Sequence, residues 1–138
     1  MTERKTVVYP NPQVLAEAVA ARTLLTIIDL LAEPNRKRVD IAVTGGTDGN
    51  RVFAAMNASP LNDALVESGR MPAANIHAMP ADTRGAEEIA ASPEQTDAVL
   101  AEAAAEYQRE LIEQLGENPA LDIAMFGMGP DAHFASLF

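Results

Sequence analysis

The chain has 138 residues, 48% of them hydrophobic, so it is long enough for a domain with a core and too apolar for an intrinsically disordered protein. It contains no cysteine, which excludes disulfides, thiolate zinc sites and a cysteine nucleophile. The formal net charge is −10, and after Arg70 the basic side chains are Arg84 and Arg109 against a dozen carboxylates. Nucleic-acid binding needs a basic face that displaces counterions, so this composition predicts no nucleic-acid partner.

The N-terminal residues Met1–Lys5 are followed by no long apolar stretch, and we therefore expect no signal peptide. The segment Ala20–Leu31 is apolar but contains Arg22 and Asp29, which makes it too short and too polar to span a bilayer. We expect a cytoplasmic protein with no membrane partner. The composition leaves the oligomeric state open.

Helical and strand-like segments alternate along the chain. Apolar residues at three- and four-residue spacing predict a helix over 12–32, with Asn11 as its cap. The β-branched run 39–43 predicts a strand, and short helices are expected over 50–57 and 61–68. Residues 76–79 are weakly strand-like. The longest helix is predicted over 93–115, capped by Ser92 and ended by Gly116, before a buried strand over 121–126.

This alternation predicts an α/β domain with a mostly parallel sheet flanked by helices. The two clearest strands, 39–43 and 121–125, have similar sequences, and each runs into a turn that contains glycine. In an open α/β sheet, ligands bind beyond the carboxyl ends of the strands. We therefore expect the two glycine turns to lie at the ligand-binding edge.

The first turn, Thr44–Gly49, offers backbone N–H groups and hydroxyls just before a helix, where the helix dipole favours an anion. It matches neither a Walker loop nor a GxGxxG fingerprint, and an ordinary connection between strand and helix is the simpler explanation. Arg51 could face the same anion or form an ordinary surface ion pair. The residues alone favour the ordinary explanation in both cases.

The second turn, Gly127–His133, places Asp131 and His133 two residues apart after a strand. An imidazole can transfer protons near neutral pH, and a carboxylate beside it can fix its tautomer. A loop in which Asp131 caps a helix and His133 is merely exposed remains the alternative. His77 is expected to pack or to lie at the surface, and the phenylalanines to fill the core. Two histidines and scattered carboxylates predict no metal site.

Three segments resemble the 6-phosphogluconolactonase family. Residues 127–138, GMGPDAHFASLF, are similar to its signature GMGPDGHTASLFP, with Ala132 in place of glycine and Phe134 in place of threonine. Residues 43–47 are similar to its (L/V)(S/T)GG(S/T) turn, and residues 72–80 to its PxxNIHxMP segment. The segments occur in the family's order between residues 39 and 138. The family belongs to an α/β group that also includes glucosamine-6-phosphate deaminases and ribose-5-phosphate isomerases.

The resemblance implies a three-layer, Rossmann-like fold and hydrolysis of 6-phospho-D-glucono-1,5-lactone in the oxidative pentose phosphate pathway, without a cofactor or metal. The partner is then a phosphorylated sugar lactone. It implies His133 as the general base and Asp131 as the residue that orients it. Substrate contacts are expected from Thr44, Gly45, Gly46, Thr47, Asn62, Gly127 and Gly129.

The chain departs from the family in two places. The family carries a strand and loop before the segment matching Leu61–Asp63, whereas this sequence runs from Asn57 almost directly into Asn62. The family also continues well past Phe138. A sheet without these parts would have unpaired edges. We therefore expect residues 1–138 to form a single lactonase-like domain of a longer protein, lacking an internal strand near residues 60–62 and a C-terminal portion.

Two other functions fit the same fold. A glucosamine-6-phosphate deaminase or isomerase would carry a similar glycine loop but continue with an AFNEP-like segment, whereas here Ala135–Phe138 favours the lactonase. A non-catalytic sugar-phosphate sensor would use the same cleft. Such regulators usually carry a basic DNA-binding module, and nothing of that kind precedes Val7.

Overall fold

A computed structural model describes residues 4–67, 75–80 and 83–134. Residues 72–74 of the PxxNIHxMP segment, Ser68 at the end of a predicted helix, and Ala135–Phe138 lie outside the described residues. The chain divides into two compact units, one formed by Met1–Arg70 with Leu121–Phe138 and the other by Met71–Ala120. Each unit is described by itself.

The first unit begins with helix α1, Pro12–Leu31. The side-chain oxygen of Asn11 accepts a hydrogen bond from the Val14 N–H at 2.9 Å, and Pro12 occupies the first helical position, where no N–H is needed. The Ala32 N–H closes the last turn on the Ile28 carbonyl. The predicted helix and its cap are both confirmed.

Two short strands form a parallel sheet: β1, Ile41–Ala42, and β2, Ile123–Ala124. Ile41 pairs with Ile123 and Ala42 with Ala124, so the two similar sequences lie side by side in register. Both strands are shorter than predicted. Helices with a small parallel sheet are consistent with an incomplete α/β fold.

Helix α2, Gly46–Ala58, starts four residues earlier than predicted and takes in most of the first glycine turn. Helix α3, Pro60–Glu67, follows after Ser59 alone. The Asn62 N–H donates to the Ser59 carbonyl at 2.9 Å, and the Leu61 N–H lies 3.3 Å from the Ser59 hydroxyl. The chain therefore passes from α2 to α3 through one tight turn.

The core of the first unit lies where α1 packs against α2. Ala16, Ala20 and Val52 are buried together. Leu24 is also buried, with 1% of its surface exposed. The alanines let the helix backbones approach closely. Met125, just after β2, packs against this cluster, and its sulfur lies 3.9 Å from the Thr23 hydroxyl. The helix pair thus supports the end of β2 from which the second turn departs.

The second unit contains helices α4, Ala86–Ala91, and α5, Pro93–Leu115. The range predicted for α5 is confirmed, and Gly116 ends it with φ of +89°. Ser92 occupies the N-cap position, as predicted, but its side chain makes no capping hydrogen bond. Residues 76–79 form no strand, so the weak strand prediction for this segment is wrong. The described helices include none that is long and apolar enough to cross a membrane.

His77 is held against α5 instead of standing in a strand. Its Nδ1 lies 2.6 Å from a Glu110 carboxylate oxygen, and its carbonyl accepts a hydrogen bond from the Tyr107 hydroxyl at 3.5 Å. Side-chain partners on a helix therefore take the place of a neighbouring strand. His77 packs within its own unit, as the sequence predicted.

Candidate active site

The two glycine turns meet beyond the ends of the paired strands. The Met125 N–H donates to the Ala42 carbonyl at 2.9 Å, which continues the sheet by one residue. Two residues further on, the Gly127 N–H lies 3.4 Å from the Thr44 hydroxyl oxygen. This contact joins the first residue of the second turn to the first residue of the first turn.

The first turn becomes the N-terminus of α2. Gly45 occupies the cap position, and Gly46 has φ of +82°, a conformation that side-chain-bearing residues rarely adopt. A Cβ at either position would meet nothing within 4 Å. Thr47 is exposed. This helix start therefore leaves its backbone N–H groups accessible, as an anion site requires.

Arg51 lies one turn into α2 and pairs with Asp48 in the same helix. The guanidinium nitrogen is 2.7 Å from the carboxylate oxygen, at the i,i+3 spacing that suits such pairs. Both side chains are largely exposed, so the pair adds little stability. Arg51 therefore forms the ordinary surface ion pair that the sequence favoured.

The second turn folds back on itself. The Gly129 N–H donates to the His133 carbonyl at 2.9 Å, and the Ala132 N–H donates to the Gly129 carbonyl at 3.0 Å. Ala132 has φ of +68°, the left-handed conformation in which glycine costs less than alanine. Because this residue reverses the chain, His133 is brought back above the glycine that precedes Pro130.

The side chains of Asp131 and His133, two residues apart in the turn, contact each other. A hydrogen bond joins His133 Nδ1 to Asp131 Oδ1. The His133 side chain is 34% exposed and that of Asp131 60% exposed, so solvent reaches the pair. Because an ionised carboxylate only accepts hydrogen bonds, the His133 tautomer that suits this contact carries its hydrogen on Nδ1.

Gly129 makes this arrangement sterically possible. A Cβ built at Gly129 would lie 2.2 Å from His133 Cε1, 2.5 Å from Nδ1 and 2.8 Å from Asp131 Oδ1. All three distances are shorter than van der Waals contact. The imidazole therefore lies directly against the Gly129 Cα, and the pair needs glycine at this position.

Two phenylalanines form an apolar rim beside the pair. The rings of Phe126 and Phe134 lie edge to face, with centroids 6.3 Å apart and planes at 87°. They are 65% and 50% exposed, so the expectation that they fill the core is wrong. The hydrophobicity of Phe126 suggested a buried strand, and no periodic signal marked it as part of the rim.

The opposite end of the strands is held by charge. The Asp122 carboxylate accepts a hydrogen bond from the Asp40 N–H at 2.8 Å and forms an ion pair with Arg36. The backbone N–H and then the guanidinium hold the pKa of Asp122 below its ordinary value of 3.8. The same carboxylate raises the pKa of Arg36. Sequence reasoning passed over this pair, whose members are far apart along the chain.

Asn62 lies in the first turn of α3, and within the described residues its side chain makes no hydrogen bond to either glycine turn. Its predicted contact with the substrate therefore stays a prediction. Across residues 4–67, 75–80 and 83–134, no three His, Asp or Glu side chains cluster in a way that could hold a metal ion.

The family model described as glucosamine-6-phosphate isomerases/6-phosphogluconolactonase matches residues 55–138, more than half of the chain. The chain belongs to this family. The matched range begins within α2 and includes β2 and the second turn. The family resemblance suggested by the sequence is thus confirmed.

A 6-phosphogluconolactonase from Streptomyces coelicolor (strain ATCC BAA-471 / A3(2) / M145) is 31% identical to the chain, and the match covers 96% of the chain. The chain spans about 60% of the length of this relative. The match runs over 158 positions, 20 more than the chain's 138 residues, so the relative carries at least 20 residues inside it that this chain lacks. No solved structure matches the chain.

Proposed function

We propose that the protein hydrolyses 6-phospho-D-glucono-1,5-lactone to 6-phospho-D-gluconate. The observation that carries the proposal is the hydrogen-bonded pair of Asp131 and His133, in a turn attached to a second glycine turn. A lactone is already activated toward water, so a positioned base can contribute about 10²–10⁴-fold to the rate without a covalent intermediate. Family membership and the curated lactonase relative support this substrate class.

In the proposed mechanism, His133 takes a proton from water through Nε2 while Asp131 holds Nδ1. The water oxygen attacks the lactone carbonyl carbon, and negative charge develops on the carbonyl oxygen. The tetrahedral intermediate collapses by breaking the bond to the ring oxygen, and His133 returns the proton to that oxygen. The product is the open-chain acid, which contains the atoms of the lactone and of one water molecule.

We assign the phosphate or the substrate oxygens to the start of α2. Accessible N–H groups at Gly45, Gly46 and Thr47, together with the positive end of the helix dipole, suit an anionic group. Gly127 and Gly129 would let the backbone of the second turn approach the sugar closely, and Asn62 would add a polar contact. A protein with a net charge of −10 needs such local positive potential to bind a phosphate.

We also propose that the chain is part of a longer cytoplasmic protein whose complete domain is a three-layer α/β structure. The segment missing near residues 60–62 and a C-terminal portion would supply the remaining strands. The 20 or more additional residues of the relative inside the match support this proposal.

His133→Ala tests the lactonase proposal in the full-length protein. We expect kcat/KM for the lactone, after subtraction of spontaneous hydrolysis, to fall by about 10²–10⁴-fold while the circular dichroism spectrum is unchanged. His77→Ala is the matched control, because it removes the other histidine, which lies in the second unit, and should leave kcat/KM near wild type. Near-normal lactonase activity in His133→Ala would contradict the role of His133 as the general base.

The isomerase reaction is the second candidate, because the family description covers both activities. Purified protein given glucosamine 6-phosphate would then release ammonia while leaving the lactone unaffected. Binding of 6-phosphogluconate with turnover of neither substrate would instead favour a sensor. These assays separate the three functions with one protein preparation.

A further inference from the structure

We propose that Thr44 is a positioning residue whose hydroxyl carries the last rung of the β-ladder and so fixes the loop that bears His133. This inference rests on the proposed function for its catalytic part. The structural part, a side-chain rung between the two turns, depends on the described contacts alone.

The hydrogen bonds between the strands set the spacing of the rungs. In a parallel ladder they recur every two residues, from the N–H of one strand to a carbonyl of the other. The first two rungs donated by the second strand use backbone acceptors. The Ile123 N–H lies 3.3 Å from the Asp40 carbonyl, which also accepts from the Asp122 N–H at 2.8 Å, and the Met125 N–H donates to the Ala42 carbonyl at 2.9 Å. The next donor is Gly127, and the next backbone acceptor would be the Thr44 carbonyl.

The Gly127 N–H instead donates to the Thr44 hydroxyl oxygen, which lies 3.4 Å away. The Thr44 carbonyl instead packs against α2. Its oxygen lies so close to Gly49 that a Cβ at that position would be 2.4 Å away. The hydroxyl also lies 3.4 Å from the Gly45 carbonyl, to which it donates. It therefore acts as both acceptor and donor, as a hydroxyl can.

This geometry separates two tasks at Thr44. Its carbonyl faces the first turn of α2, while its hydroxyl holds Gly127, where the second turn begins. A carbonyl rung would keep the two chains parallel, whereas a side-chain rung lets them diverge around a bound molecule and still ties them together. The position of His133 relative to the α2 N-terminus then depends on this hydroxyl.

Thr44→Val removes the hydroxyl and keeps the shape, whereas Thr44→Ser keeps the hydroxyl. In the full-length protein we expect the Gly127 amide of Thr44→Val to exchange with solvent about tenfold faster by NMR, which is the effect of losing one hydrogen bond. We expect kcat for the lactone to fall by about tenfold as well, with KM within about twofold, because the base is misplaced while binding persists. Thr44→Ser should restore both values.

Thr26→Val is the matched control, because the Thr26 hydroxyl donates to the Arg22 carbonyl within α1 at 2.8 Å, away from the turns. It should leave the Gly127 amide and kcat unchanged. If hydrogen exchange of the Gly127 amide is unchanged in Thr44→Val, the hydrogen bond between Thr44 and Gly127 is disproved. If exchange is faster but kcat is unchanged, the positioning role of Thr44 is disproved. A rise in KM alone would make Thr44 a substrate ligand instead. Absence of lactone hydrolysis in the wild type defeats the proposed function, and the exchange measurement then judges the rung by itself.

Discussion

The two glycine turns begin alike and end differently. Each turn follows a strand with the sequence Ile-Ala, and the two strands pair in one parallel sheet. The contact between Thr44 and Gly127 joins the first residues of the two turns. The first turn continues directly into α2, so its glycines lie at the N-terminus of that helix. The second turn closes on itself through Gly129 and presents two ionisable side chains. Similar strands thus end in one turn suited to hold an anion and another suited to move a proton.

The difference comes from what each glycine touches. A Cβ at Gly49 would strike the backbone of Thr44, whereas a Cβ at Gly129 would strike the side chain of His133. Backbone atoms cannot move without moving the strand, but an imidazole can rotate away. We therefore expect alanine at Gly49 to affect mainly stability, and alanine at Gly129 to affect mainly activity.

Of the two glycine substitutions, Gly129→Ala should have the larger effect on activity. The new Cβ displaces the imidazole from its place beside Asp131, and a misplacement of about 1 Å can cost roughly 10²-fold in rate. We expect kcat/KM for the lactone to fall by about that factor with little change in the urea midpoint. Gly85→Ala, whose Cβ meets nothing within 4 Å, is the matched control for activity. A fully active Gly129→Ala would show that His133 need not lie against Gly129.

Gly49→Ala should be the most destabilising of these changes. Its Cβ would lie 2.4 Å from the Thr44 oxygen and 3.2 Å from the carbonyl carbon, so α2 must shift away from the backbone at Thr44. Forcing one extra carbon into a close-packed position costs about 1–3 kcal/mol in the free energy of unfolding. Urea denaturation measures this loss, and Gly85→Ala should cost less than about 1 kcal/mol. Equal losses in the two variants would contradict the close contact between Thr44 and α2.

Asp122→Asn tests the other end of the strands through pH. Because folding lowers the pKa of Asp122, the carboxylate stabilises the native state above its unfolded value of about 3.8 and loses that contribution as the pH falls through the lower native value. The variant should therefore melt a few degrees lower than wild type at pH 7, and the gap should close below pH 3.8. Glu102→Gln, an exposed change on α5, serves as the charge-matched control. A gap that stays constant down to pH 2 would rule out this linkage.

Ala132→Gly should have the smallest effect, and a stabilising one. Relief of the left-handed conformation gains roughly 1–2 kcal/mol, and the greater freedom of glycine in the unfolded chain offsets about 0.5–1 kcal/mol of it. A net gain of about 0.5 kcal/mol in the free energy of unfolding is expected from these two terms. Ala54→Gly, exposed in α2, should instead lose about 1 kcal/mol. A loss of similar size in both variants would argue against the strained turn.

The sequence determined what depends on local chemistry. Asn11 and Pro12 specify the start of α1 because capping and a fixed φ act within one turn, and Gly116 marks the end of α5 for a similar reason. The spacing of Asp131 and His133 made their pairing foreseeable, since the two are separated by one residue. Short-range rules of this kind need no knowledge of the rest of the fold.

The tertiary structure decided what depends on residues distant in sequence. The Arg36–Asp122 ion pair, the Thr44–Gly127 rung and the exposed rings of Phe126 and Phe134 each join segments or depend on packing that no local pattern reports. The strand predicted over 76–79 failed because a weak local preference yielded to side-chain contacts between His77 and α5. Hydrophobic periodicity indicates which residues can be buried, but the pairing of β1 with β2 decided which groups meet at the candidate site.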